Sequence, residues 1–321
     1  MRPKHDTTAP GGSSVGSNER AMVRSPTELR NTGTHDIDRL STLDMLREIN
    51  AEDATVPGAV QTVLPEIARA VDTAVETWHA HGTIHYFGAG TSGRIASLDA
   101  VELAPTFGIP SDRVRAHHAG GDAALGNALE GAEDDPELGR ADAAEVAAGD
   151  TVLGLTASGR TPYVAGALRR AGEAGARLVL VSANPRAELA PEVDVHIGVD
   201  TGAEAIAGST RMKAGTAQKL VLNAFSTGVM VRVGRTYSNL MVGVNATNAK
   251  LRGRMVTILV EATGMSEEEC ADALDRSGGD TRVALVVLLS GVDADTARSA
   301  TEAADGRVRE ALRRTGANAG S

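Results

Sequence analysis

Two short segments hold the side chains best suited to binding and catalysis. Gly88-Ala-Gly90-Thr91-Ser92-Gly93-Arg94 and Thr156-Ala-Ser158-Gly159-Arg160-Thr161 share the tripeptide Ser-Gly-Arg, and each follows an apolar run and precedes a helical stretch. Each loop therefore sets small hydroxyls and free backbone N–H groups at a helix N-terminus, where donors and dipole both favour an anion. Glycine lets a ligand come close to the backbone. Taken singly, Thr91, Ser92 and Ser158 read equally as caps of their own helices. Two such loops at strand ends of one parallel sheet favour a ligand crevice, with a phosphate as the natural occupant.

The first loop also fits Gly-x-Gly-x-x-Gly, so a dinucleotide fold is its first rival. Such a fold expects an acidic residue about 20 positions on, but that region reads Val114-Arg-Ala-His-His118. It also has no need of a second hydroxyl-rich turn.

Carboxylates come next. On the helix after the first loop, Ile95, Leu98 and Val101 mark an apolar side, and Glu102 lies within about 20° of Ile95. A glutamate on that side, near a helix C-terminus, is expected to have a raised pKa and to hold a proton near neutrality. The plainer reading is a glutamate paired with an arginine at the rim. Glu130-Gly-Ala-Glu133-Asp134-Asp135-Pro136 offers a second acidic group, which could equally be a solvated helix cap. Gly208-Ser209-Thr210-Arg211-Met-Lys213 opens another helix with hydroxyls and cations suited to an anion or a sugar, or to a simple cap.

The elements that carry these residues alternate. Strands are expected at 83–87, 113–118, 151–155, 177–182 and 193–199, separated by helices at 94–103, 123–131 with 141–147, and 162–174. Helices at about 42–49 and 60–79 precede them. A long helix at 209–231, with Leu220, Val221, Ala224 and Phe225 buried, follows. This is an α/β pattern with a doubly wound parallel sheet. After Tyr237 no further strand is expected, and residues 248 to 321 read as a small tail of three or four helices. Residues 1 to 26, polar and rich in Gly, Ser and Pro, are expected to be disordered.

Bulk properties narrow the function. The 321 residues are 42% hydrophobic and only 2% aromatic, with a net charge of −10. That disfavours nucleic acid and anionic membranes as partners, so an anionic ligand must be held by local donors. The histidines lack metal-ligand spacing, so no metal is expected. A single cysteine, Cys270 in an acidic run, reads as structural. No apolar run approaches membrane-spanning length and no leader is apparent, which makes the cytoplasm the expected compartment.

Taken together, Gly88–Arg94, Asp99-Ala-Val-Glu102 with Pro105-Thr-Phe-Gly108, Glu130–Pro136, Ala157–Pro162, the run GSTRMKAGTAQK from Gly208 to Lys219, and Ala246-Thr-Asn-Ala-Lys250 resemble the N-acetylmuramic acid 6-phosphate etherases. The likeness extends from about Thr27 to 290. Vertebrate glucokinase regulatory protein has similar loops but two sugar isomerase (SIS) domains. The resemblance implies an SIS-type, flavodoxin-like domain over 27–247, with a tail that looks ubiquitin-associated-like. It implies a cofactor-independent lyase that removes D-lactate from the sugar phosphate by elimination and hydration, as a homodimer with sites near the subunit interface. Matched to the family motif, Glu102 falls on the proton donor and Glu133 on the second catalytic acid. Gly90, Thr91, Ser92, Ser158, Gly159, Thr161, Glu204, Ser209, Thr210, Arg211 and Lys213 fall on the substrate-binding positions. Leu103-Ala104 stands where Cys-Pro is common, and Gly243 where an acidic residue is frequent. A sugar-phosphate-sensing regulator and an aldose–ketose isomerase remain as rivals, and retention of both glutamates favours the etherase.

Overall fold

The computed structural model describes residues 25–127, 131–244 and 249–317. Most of the segment expected to be disordered, and the motif residues Glu130 and Ala246–Asn248, lie outside them. Order already exists at Ser25, whose Oγ meets Thr27 Oγ1 at 2.9 Å, both side chains being buried.

Three helices come first: α1 (Thr42–Asp53), α2 (Val56–Gln61) and α3 (Leu64–His79). The single helix expected over 60–79 is divided, because Pro65 fits the first turn of a helix and not its interior. Helix α3 buries Ile67, Ala70, Val71, Ala74 and Trp78, a stripe spaced three and four residues apart. The Arg113 guanidinium lies 3.9 Å from the Trp78 ring centre and donates to the Trp78 carbonyl at 2.9 Å.

The alternating region follows as β1 (Ile84–Gly88), α4 (Gly90–Phe107), β2 (Val114–His118), α5 (Ala123–Gly126), α6 (Pro136–Asp142), β3 (Thr151–Thr156), α7 (Pro162–Glu173), β4 (Arg177–Ser182) and β5 (Val195–Gly198). All five strands are parallel in the order β2-β1-β3-β4-β5. Strands β1 and β3 are buried throughout, as a central parallel strand covered on both faces must be. Ile67, Trp78, Leu103 and Phe225 pack on one face, and Phe87, Tyr163 and Leu168 on the other. The doubly wound expectation is borne out.

Helix α8 (Lys213–Arg232) crosses the first face. Its buried side includes Val221, Leu222, Phe225 and Val229, whereas Ala224, expected inside, is exposed. A two-residue strand pair, β6 (Thr236–Tyr237) with β7 (Leu240–Met241), then continues past the point where strands were expected to end. Among the described residues the tail has five helices: α9 (Ala249–Thr263), α10 (Glu267–Arg276), α11 (Thr281–Ser290), α12 (Ala294–Ala303) and α13 (Val308–Arg314). They share a core of their own that includes Leu259, Leu274, Leu285 and Leu312. Side chains of Ser266, Asp280 and Asp293 cap α10, α11 and α12. Cys270 is fully buried there.

Helix α4 differs from expectation in which side it buries. Its inner stripe is Ser92, Ala96, Asp99, Leu103 and Phe107, while Leu98 is 49% and Val101 71% exposed. The misplaced acid on the buried side is therefore Asp99 and not Glu102, which is exposed. Asp99 accepts from Ser226 Oγ at 3.1 Å and Tyr86 Oη at 3.2 Å, with Lys219 Nζ at 4.0 Å. Burial outweighs these contacts and pushes its carboxyl from 3.8 up to about 6. Since the folded-state value exceeds the unfolded one, the protonated acid favours the fold. That contribution is complete below pH 3.8 and is lost as pH rises through about 6. Asp99→Asn should flatten this segment of the stability profile, worth up to ~3 kcal/mol. Denaturant unfolding of both proteins across the range measures it, and parallel profiles would remove Asp99 as the cause.

Candidate active site

The strand order reverses between β1 and β3, so the chain leaves these neighbours toward opposite faces of the sheet. A crevice must open between their C-terminal ends. Register makes the two loops level: Gly88 of β1 pairs with Leu155 of β3. The first loop turns sharply at Gly90, with φ of +55°, and α4 starts at once. Any side chain at Gly93 would collide with the His118 ring and the Gly88 carbonyl, so glycine is required there. His118 Nε2 reaches Gly90 O at 3.1 Å and bolts the loop to β2.

Neither α4 nor α7 has a side-chain cap. Thr91 and Ser92 make no side-chain hydrogen bond to a described residue, and both line the cleft. The capping alternative therefore fails for the first loop. In the second, Thr156 Oγ1 holds Thr161 Oγ1 at 2.7 Å and accepts from Gly159 N at 3.2 Å, which fixes the turn. Gly159 has φ of +77°, and Asn184 Nδ2 donates to Ser158 O at 3.1 Å. Ser158 Oγ accepts only a long contact from Arg160 N at 3.4 Å, besides Thr156 Oγ1 at 3.3 Å.

Between the loops lies a cleft of about 540 Å³, ample for a small phosphorylated ligand. It gathers Gly90, Thr91, Ser92, Ser158, Thr161, Thr210 and Glu133 from the residues expected to act. Gly159 shapes the turn from below. Ser209 and Arg211 stand outside the cleft lining. Glu204 is fully buried, and its carboxylate accepts from Lys213 N at 2.8 Å and Ala214 N at 2.9 Å. It caps α8, and burial raises its pKa despite those bonds. Lys213 is also buried, its ammonium 2.5 Å from Glu52 Oε2, so it ties α8 to α1 and leaves the cleft to others. Arg94 donates to the carbonyls of Ala124, Leu125 and Asn127, and so supports α5.

Four charged cleft residues had been given no binding or catalytic role from the sequence: Glu28, Asp134, Arg160 and Glu188. Arg160 was visible in the repeated Ser-Gly-Arg, and its guanidinium lies 3.9 Å from Glu188. Glu28 had no local signal, because a long-range bond from Gly208 N to Thr27 O brings it in. The lining is thus acidic except at the loops, and an anion must sit on the two helix N-termini. Glu102 is absent from it. Twelve residues beyond Gly90 on one helix, it lies about 18 Å further along the axis, exposed beside Leu98 and Val101.

Several known proteins resemble this chain. Residues 66–172 match the family described as the glucokinase regulatory protein N-terminal SIS domain. The N-acetylmuramic acid 6-phosphate etherase of Thermobifida fusca is 72% identical over 269 residues, covering 84% of this chain and 88% of that protein. The etherase of Pectobacterium atrosepticum is 51% identical over 287 residues, covering 89% and 95%. Among solved structures, a phosphoheptose isomerase from Neisseria gonorrhoeae is similar at 17% identity and a TM-score of 0.47, covering 59% of this chain and 99% of that one.

If the uncapped hydroxyls bind phosphate, Ser92→Ala and Ser158→Ala each remove a donor to a charged oxygen, worth roughly 1.5–3 kcal/mol. Calorimetric titration with a hexosamine 6-phosphate should show affinity reduced about tenfold or more. Unchanged affinity in both variants would move the phosphate elsewhere.

Proposed function

The chain belongs to the N-acetylmuramic acid 6-phosphate etherase family, and we propose how its cleft divides the work of that reaction. The activity converts N-acetylmuramate 6-phosphate and water into N-acetylglucosamine 6-phosphate and D-lactate. The observation that supports our assignment is Glu133 in the lining of a cleft that also holds two helix N-termini without side-chain caps. The loops take the phosphate, with Ser92, Ser158 and the α4 and α7 amides as donors. In the open-chain sugar the C2 proton lies α to the C1 aldehyde and is acidic. Glu133 removes it, the C3–O bond breaks as an acid protonates the departing lactate, and water adds at C3 of the resulting unsaturated aldehyde. A base and an acid within one site suffice for this sequence.

Glu102 is our choice for the acid, and its place on α4 dictates how it serves. It lies further from Gly90 than a hexose 6-phosphate can reach, on a face that also carries exposed Leu98 and Val101. We assign that face to a homodimer seam, through which Glu102 of each protomer enters the cleft of the other. Oligomerisation then completes the site. The rest of the reading is a small-molecule enzyme of the cytoplasm, in accord with its one buried, unpaired thiol. Among the described residues no helix is long and apolar enough to cross a membrane.

Complementation tests this arrangement. Glu102→Gln and Glu133→Gln should each slow lactate release about 10²–10⁴-fold while still binding the sugar phosphate. Only Glu133→Gln should abolish exchange of the C2 proton with deuterated water. Mixed dimers of the two variants contain one intact site, so an equal mixture should recover about a quarter of wild-type activity. No recovery in verified mixed dimers would place both carboxylates in one chain.

A further inference from the structure

Away from the cleft, three side chains that the sequence separates widely come together on the α6–α7 side of the sheet. His85 of β1 and His117 of β2 are diagonal neighbours, since Phe87 is the residue in register with His117. His85 Nδ1 lies 3.1 Å from His117 Nε2, and Glu145 Oε1 is 3.7 Å from that same nitrogen. All three groups lie within 4.8 Å of one another. The sheet register builds what the histidine spacing had given no reason to expect. We propose that His85 Nδ1, His117 Nε2 and Glu145 Oε1 form a binding site for a Zn²⁺-class divalent metal, with a water in the fourth position.

Three features of the cluster support a metal. Ligands of a tetrahedral zinc are about 3.3 Å apart when the bonds are 2.0–2.1 Å; the two separations from His117 Nε2, 3.1 and 3.7 Å, bracket that spacing, and the third is within 4.8 Å. His85 is 2% exposed and its Nε2 makes no hydrogen bond to a described residue, although Asp150 Oδ2 is 3.4 Å away. With Nδ1 on a metal, Nε2 must carry the proton, and Asp150 is the acceptor waiting for it. This is the carboxylate–histidine–metal arrangement that fixes a ligand's tautomer. Asp150 is held in place independently, accepting from Thr83 N at 2.8 Å and Ala147 N at 2.9 Å.

Third, His117 is stacked on Phe87 with centroids 4.2 Å apart, so its ring is oriented before any metal arrives. Glu145 is half exposed and reaches Arg115 through its other oxygen, at 2.5 Å, leaving Oε1 toward the imidazoles. The site thus has one open side for entry. Two nitrogens and one carboxylate oxygen suit Zn²⁺, Co²⁺ or Ni²⁺ better than Mg²⁺ or Ca²⁺. A metal here would staple β1, the edge strand β2 and the segment between α6 and β3. The strand it steadies carries His118, which holds Gly90 from the opposite face.

Cobalt provides the probe. The chelator-treated protein should bind one equivalent of Co²⁺ with the intense visible absorption of a tetrahedral site, and Zn²⁺ should displace it. Zn²⁺ should raise the melting temperature by several degrees through linkage to folding. Glu145→Gln alters a half-exposed residue and should fold normally by circular dichroism, yet bind Co²⁺ at least about tenfold more weakly. His117→Gln should abolish the signal. Absence of saturable binding in the wild type overturns the proposal, and so does binding that neither variant weakens.

Discussion

The register between β1 and β3 underlies everything at the cleft. Parallel pairing of Gly88 with Leu155 ends both strands at one level, and the reversal of strand order there sends their helices to opposite faces. The N-termini of α4 and α7 must then converge on a common space. A slip of one residue would carry each side chain of β1 to the opposite face of the sheet and withdraw one loop from the other. Both strands have no exposed position, so burial opposes such a slip along their whole length.

Convergence of two helix ends resolves an electrostatic difficulty. The protein carries a net charge of −10, and its cleft is lined by Glu28, Glu133, Asp134 and Glu188. The one arginine among its described lining residues is close to Glu188. Partial charges of backbone amides act within a turn of the helix and are not spread over the surface. They can hold a phosphate without a cationic surface around the cleft. The end of α8 is withheld from this role, because the Glu204 carboxylate already occupies it.

The loops, the strand order and the hydroxyls at the cleft were legible in the sequence because each is a local pattern. What escaped it was set by distant partners. Helix α4 carries two stripes, and the richer in large apolar residues, with Leu98 and Val101, faces outward; the buried one is built around Ala96 and Asp99. Hydropathy favoured the wrong stripe, and Glu102 was read on the inside for that reason. Glu204 and Lys213 looked like ligand groups because cap and ion pair depend on contacts 9 and 161 residues away. His85 and His117 are 32 residues apart and meet only through the sheet.

The scarcity of aromatic residues has a practical side. Trp78 is the one tryptophan in the chain, and it is buried at the end of α3, beneath Arg113. Arg235, which follows α8, also approaches its ring, at 5.7 Å. This corner lies at the N-terminal edge of the sheet, opposite the cleft. Emission excited at the red edge of the absorption band, where the three tyrosines do not absorb, therefore originates from a single indole, beside two cations and remote from bound sugar. It monitors whether the helical entry to the sheet is folded, and it should be silent to occupancy of the cleft.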